Sequence, residues 1–455
     1  MILLLLIILA GPLLADTPSS ISSTKAIYDG NALVLRGNVE LQHTLGSMVS
    51  GVARLEKEEK DSPFSSIFLG DNVHIILKNQ AQILCDKADF DFQTLKGTLH
   101  SKWEEGVQFS TEGLHPFTLS SESADLTFAK TDGEIQIATI KAKANVEAHY
   151  GENFALTAED LFYSESPTPY VCVNTRALLC HNGDRIEADK VEVFPDAERA
   201  ILTSPKGNLK PSVFSENQEI EFSCENLAWN DQLHSLSLKG DIWIKDKQLG
   251  QILCDNLVEL TQKETNGKWT LGEITARGRT QIEYLLDAKS SPLLVCHGKM
   301  HLDQSHLLLT LESPEELPIE YYHDEMQLTG EHAVLHYGEH EGKYQPEKLK
   351  LTGNILLSTA PEGGAVRLAI ADEFAYFPEE DTMLLSCHDG KKVLFFDAEQ
   401  DLSVSAKEVR ISHPSTNPSV KGVGNVKLSF SSTENALLKK LFPFYHPKGG
   451  SDESR

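Results

Sequence analysis

After its first fifteen residues the chain has no uninterrupted apolar run of the roughly twenty residues a membrane-spanning helix needs. Basic side chains are scarce, 41 against 67 acidic ones, and the formal charge is −26. A nucleic-acid partner, held by Lys and Arg displacing counterions, is therefore not expected. The seven cysteines include no Cys-x-x-Cys pair, which argues against a zinc knuckle or a thioredoxin-like site. A Gly-x-Ser-x-Gly elbow, a phosphate loop and a dinucleotide fingerprint are all missing. The acidic residues fall on alternate polar positions, where a solvated strand face accounts for them. No catalytic residue, metal ligand or cofactor is nominated, and the chain is read as a non-enzyme.

What is present begins with "MILLLLIILAGPLLA" (1–15), uncharged and followed by the polar "DTPSSISST". The apolar core Ile2–Ala10 is too short for an anchor and suits a signal peptide cleaved near Ala15. The usual cation ahead of the core is absent, and Leu13 is large for its place. No Cys follows, so a lipid-anchored N-terminus is not expected. At 455 residues and 50.4 kDa, the chain exceeds one ordinary core and implies two domains or one repetitive body.

From residue 26 the dominant pattern is alternation. "ALVLRGNVELQ", "GDNVHIILKN", "LSLKGDIWIKD", "LKLTGNILLST" and "VKGVGNVKLSF" each set Gly before Asn or Asp amid apolar residues at period two. Asn-Gly is the hairpin order; Gly-Asn reads instead as a kink or bulge within a strand. Between these lies a second unit, "CDKADFDF", "ADKVEVF", "CENLAW", "CDNLVEL", "ADEFAYF" and "AKEVRI", in which a small residue and a polar one precede alternating apolar side chains. Ala188 does not share a parity with Val191 and Val193, which places the small residue at a tight strand entry. The fold class expected is all-β, with many short antiparallel strands. One helix is expected over 431–442, with Ser or Thr to cap it and Pro443 to stop it, closing the C-terminal end of the sheet. The tail 443–455 is read as loose. Pro205, Gly207 and Pro211 suggest a break over 204–218, giving β-domains at 26–203 and 219–430.

Cys85, Cys224 and Cys254 occupy the slot that Ala188, Ala371 and Ala406 fill elsewhere, so they read as small packed side chains. "CHNGD", "CHGKM" and "CHDGK" repeat a Cys-His pair before Gly. Thiolate and imidazole suit a soft metal, yet nothing local brings the three pairs together, and strand ends with exposed His fit the pattern better. His332 and His336 stand four apart in "EHAVLH", in a strand setting. Cys172 and Cys180 are near enough to bridge a local turn, and an odd total leaves at least one thiol unpaired in the monomer.

The alternation of Gly-Asn/Asp strands with units such as "ADKVEVFPDAERAIL" (188–202) and "ADEFAYFPEEDTMLL" (371–385) resembles the OstA-like family, over about residues 26–430 and most closely in 349–430. That family includes the periplasmic lipopolysaccharide-transport protein LptA and the N-terminal domain of LptD. The resemblance implies a twisted, open β-jellyroll forming a V-shaped trough, here as two tandem OstA-like domains. It further implies a location in the Gram-negative periplasm, near the outer membrane. Lipopolysaccharide or a related acylated glycolipid would be the ligand, and other envelope transport proteins would be partners through end-to-end strand pairing. Trough candidates are Val39 and Leu41, Val73 and Ile75, Ile242 and Ile244, Ile355 and Leu357, and Val426 and Leu428, each pair sharing one side of its strand. The same side chains suit an ordinary sandwich core, and an envelope scaffold that keeps the fold without carrying lipid is the second reading. No membrane-barrel repeats appear within the chain, and it is much longer than a single-domain transport protein.

If the leader reading is right, protein expressed in a Gram-negative host and released by osmotic shock has an N-terminus near Asp16; Edman sequencing returning Met1 would overturn it.

Overall fold

The computed structural model describes residues 20–442 except for the connections 44–45, 60–61, 63, 78–80, 112–115, 132–133, 152–153, 166, 182, 210–219, 247–249, 266–267, 285–291, 324–325, 341–342, 360–365, 389 and 413–418. The leader at 1–15, the tail at 443–455 and most of the expected break at 204–218 therefore lie outside the described residues. Elsewhere the alternating segments pair antiparallel with their neighbours, and the architecture is all-β with one α-helix among the described residues.

The repeating device is a corner. In the strand Lys343–Thr359, Gly353 (φ 84°) and Asn354 (φ 45°) are both left-handed. Thr352 pairs with Glu373 and Ile355 with Ala371, so two residues stand opposite the single Asp372 and make a β-bulge. Before the bulge this strand pairs with His332–His340; after it, the strand pairs with Met326–Gly330. One pass of the chain thus belongs to two ladders, switching at the bend. Gly37-Asn38 does the same in Ala32–His43, and Asp71-Asn72, one residue past Gly70, in Phe64–Leu77. At Gly240-Asp241 the corner breaks the strand outright, between Ser235–Lys239 and Ile242–Asp246. The expected kinks are therefore present. Ala144-Asn145 (φ 61° and 51°) makes the same corner in Glu134–Tyr150 without a glycine.

The corner also explains the parity of the second repeat. Ala188 closes Asp184–Ala188 in one ladder and Lys190–Phe194 begins in the other, so Ala188 and Val191 are both buried despite their odd spacing. The small residue is part of the packed interior at the bend, where the sequence had suggested only a strand entry.

The chain divides into two compact units, Met1–Lys210 with Glu225–Leu233, and Pro211–Cys224 with His234–Arg455. They interleave because Asn226–Asn230 pairs with Arg199–Thr203 in the first, whereas Ile220–Ser223 pairs with Ile242–Asp246 in the second. A cut by composition at 203 and 219 does not see those pairings. In the first unit, one inward row runs in register through Leu35, Ala53, Leu69, Ala88 and Leu99, all buried. The other ladder answers with Leu41, Met48, Ile75, Ile83, Phe109 and Leu119. In the second unit, Gly422 of one ladder lies so close to Val404 of the other that an added Cβ would sit 3.3 Å from a Val404 methyl.

The helix is Ser432–Leu441, with Ser431 and Glu434 forming a reciprocal capping box. Its Leu438 and the following Phe442 pack on Leu368, Leu394 and Phe396. Those strand residues alternate with Ala369 and Phe395 of the inward row, so the helix covers an outward face of the second unit. This corrects the expectation that it closes the sheet's end: an amphipathic stripe needs an apolar face, which a strand edge does not offer. Beside it, the fully buried Asp397 accepts from Arg367 Nε at 2.9 Å and from the Glu399 and Gln400 N–H groups, capping its turn.

Replacing Gly353 with Val should lower stability by about 2 kcal/mol, since a β-branched residue resists φ near +84° and its Cβ would meet Glu331. Asn354→Gly should cost under about 1 kcal/mol, because glycine accepts the left-handed conformation. Urea denaturation midpoints of the two variants should separate accordingly.

Candidate functional site

The inward faces grade from dry to open. In the second unit the row next to the corner, Leu238, Val258, Ala276, Met300, Leu311 and Ala333, is buried throughout. The next inward row of the same ladder runs in register through Leu236, Leu260, Ile274, Leu302, Leu309, Leu335 and Leu349, and all but Leu309 are only half-buried. Across from it, Ile244, Ile252 and Tyr321 of the other ladder are half-buried too. The outward row of the first ladder reads Ser237, Glu259, Thr275, His301, Thr310, Val334 and Lys350. On this ladder the partly wet apolar side chains thus lie mainly on the inner side, along a line of seven strands.

Of the candidates, Val39, Val73, Ile242 and Ile355 are the first inward residues beyond a corner, and each is buried. Packing alone accounts for them. Ile75 and Leu357, two residues further on, are buried as well, whereas Leu41 and Ile244 are half-buried. Val426 and Leu428 are 43% and 71% exposed. The stretch read as one strand over 420–430 is instead Ser419–Val423, a corner at Gly424-Asn425, and a single bridge from Lys427 to Ser405. Among the described residues no further strand pairs beyond it.

Cys85, Cys224 and Cys254 are buried at the corner position shared with Ala188, Ala371 and Ala406. Bends free backbone carbonyls, and small donors here answer them. The Cys254 thiol donates to the Arg277 and Leu257 carbonyls at 3.4 and 3.6 Å, and Cys296 to those of Glu312 and Lys299 at the same distances. Ser50 and Ser121 donate to Val52 and Ser123 carbonyls, each at 3.0 Å. Burial, with Asp86 adding repulsion, pushes the Cys85 thiol up to about 12.

All seven cysteines are free. Cys172 and Cys180 do not bridge, because Tyr170–Val173 and Ala177–His181 pair with opposite halves of Phe154–Ser164, Cys172 beside Phe162 and Cys180 beside Ala155. Cys296 ends its strand and Cys387 follows one, as the turn reading has it, whereas His181 still lies within Ala177–His181. At the third pair His388 is exposed, and its N–H donates to Asp372 Oδ2 at 3.0 Å while Lys391 Nζ reaches Oδ1 at 2.8 Å. Burial pushes the Asp372 carboxyl up; the Lys391 ammonium and that N–H more than offset it, so its pKa lies below the ordinary value. His332 and His336 lie on one extended strand, about 13 Å apart at the usual rise, and do not converge. Among the described residues no group of three or more His, Cys, Asp or Glu could hold a metal ion. The sequence reading missed the half-buried second row, although its leucines and isoleucines recur two residues before or after the buried ones.

Alanine at Cys85, Cys224 or Cys254 should each cost less than about 2 kcal/mol, since the slot already holds alanine elsewhere. In the native protein at pH 8, alkylation followed by mass spectrometry should find Cys180, the half-buried thiol, modified first and Cys85 only after denaturation.

No protein-family model and no curated protein matches the sequence. Among solved structures, the chain is similar to LptH, the LptA-homologous periplasmic component of the lipopolysaccharide transport device of Pseudomonas aeruginosa. The two are 10% identical with a TM-score of 0.25, over 31% of this chain and 94% of LptH.

Proposed function

We propose that the chain is a periplasmic lipid carrier in which each unit is one OstA-like body, and that the inward faces of its ladders hold the acyl chains of lipopolysaccharide or a related acylated glycolipid. The observation that carries this reading is the half-buried inner row from Leu236 to Leu349, set against a mainly polar outward row on the same strands. A folded chain gains by covering such surface, at about 25 cal/mol per Å², and an acyl chain contributes about 0.8 kcal/mol for each methylene it withdraws from water. Binding of this kind needs area and no covalent chemistry. Partners would be other envelope proteins that pass the lipid on.

The scaffold reading draws on a different stretch: Leu328, Leu357, Ala369, Phe395 and Val404 are all buried, so the ladder there is packed like an ordinary core.

Aspartate at Leu302 or Ile244 should leave the second unit folded, because a half-buried wall can hydrate the charge, and should reduce binding of a radiolabelled acylated glycolipid at least tenfold. Aspartate at Ile355, by contrast, buries an unpaired carboxylate and should destabilise by several kcal/mol. A photo-crosslinker at 302 that captures no acylated lipid in envelope extracts or in cells, with the fold intact, would leave the scaffold reading standing.

A further inference from the structure

In the first unit the two ladders also meet far from their corners. His181 ends Ala177–His181, which pairs with Phe154–Ser164 and with Asp184–Ala188; Trp229 lies in Asn226–Asn230, which pairs with Arg199–Thr203 in the other ladder. Both have inward parity, His181 two residues beyond the buried Leu179 and Trp229 two beyond the buried Leu227. Their rings touch edge to face, with centroids 5.2 Å apart and planes at 76°. At the rise of an extended strand, His181 stands about 13 Å from the buried corner residue Ala177. Phe90 with Phe128, and Phe109 with Phe117, are ring pairs of a different kind, each joining strands within one ladder.

We infer that His181 and Trp229 form a gate that pinches the first unit's groove shut and must part before an acyl chain can lie along it; this rests on the lipid-carrier reading above. Beneath the pair, Leu156, Leu179, Leu202 and Leu227 are buried, so an acyl chain has no room to pass between the contact and the corner. Both gate residues are themselves half-buried. An edge-to-face pair shifts an equilibrium by a factor of roughly two to ten, which suits a closure that holds the empty groove and yields to a ligand. Trp229's nearest neighbours along its own row, Ala200, Val193 and Val171, have no ring with which to reach across, whereas on the facing wall Phe154, Tyr150 and Phe117 continue the row of His181.

The test uses the full chain and a lysophosphatidylcholine carrying a diazirine on its acyl chain, below its micelle concentration, with crosslinks mapped by mass spectrometry. Trp229→Ala should raise labelling in Phe154–Ser164 and Ala177–His181 about three- to tenfold, leaving labelling around Leu302 unchanged, while Trp229→Phe should stay close to wild type. Equal labelling of the first unit in wild type and Trp229→Ala, with Leu302 labelled in both, would overturn the gate and spare the carrier reading. No labelling of either unit in any variant would overturn both. Should Trp229→Ala fail to fold, His181→Leu removes the ring contact from the opposite wall and is read by the same outcomes.

Discussion

Two successive residues forced into the left-handed region, opposite a single residue of the next strand, are the constraint on which the rest of this structure depends. Such a backbone costs about 1 kcal/mol or more for any residue but glycine, and it persists only where the surroundings overdetermine it. Asn and Asp fill the second position because their side chains offer a local bond in exchange. Asn354 Nδ2 donates to Glu331 and Asn145 Nδ2 to Glu122, each across to the neighbouring pass. The bend turns one pass into a member of two ladders, and the inward rows can then bury one another.

The alternation of apolar residues announced strands, and the Gly-Asn order announced bends within them, because both signals are local. The helix was legible for the same reason: Ser431, Glu434 and the stop after Phe442 are neighbours in sequence. Other features were hidden by distance. A corner resets the parity of facing, so Ala188 and Val191 share the interior although a simple count sets them on opposite sides. Ala144-Asn145 bends without the glycine that marks the other corners. The return of Asn226–Asn230 to the first unit depends on its pairing with Arg199–Thr203, which no composition shift records. Degrees of burial were the least legible of all: Ile242 and Ile244 look alike in sequence, yet one abuts a corner and the other stands one step nearer the open side.

The inward surface thus has two parts with separate physical duties. Residues next to the bends hold the ladders together, and the freed carbonyls among them are answered by thiols or hydroxyls small enough to fit, as at Cys254, Cys296, Ser50 and Ser121. That requirement explains cysteine and serine there, and alanine shares with them only the small size that the slot admits. In one ladder of the second unit the residues one step further out, leucine or isoleucine from Leu236 to Leu349, retain water contact at all but Leu309.

Because each pass such as Lys343–Thr359 supplies both ladders at once, the chain can grow only in whole passes, and growth by one would reverse the direction of everything downstream. The smallest duplication that keeps every later strand running its present way is an outward pass and its return. Such a pair brings its own two corners and its own share of both inward rows, so the interior lengthens while its cross-section is preserved. A fold built this way can change its reach by tandem copying without any new packing problem to solve.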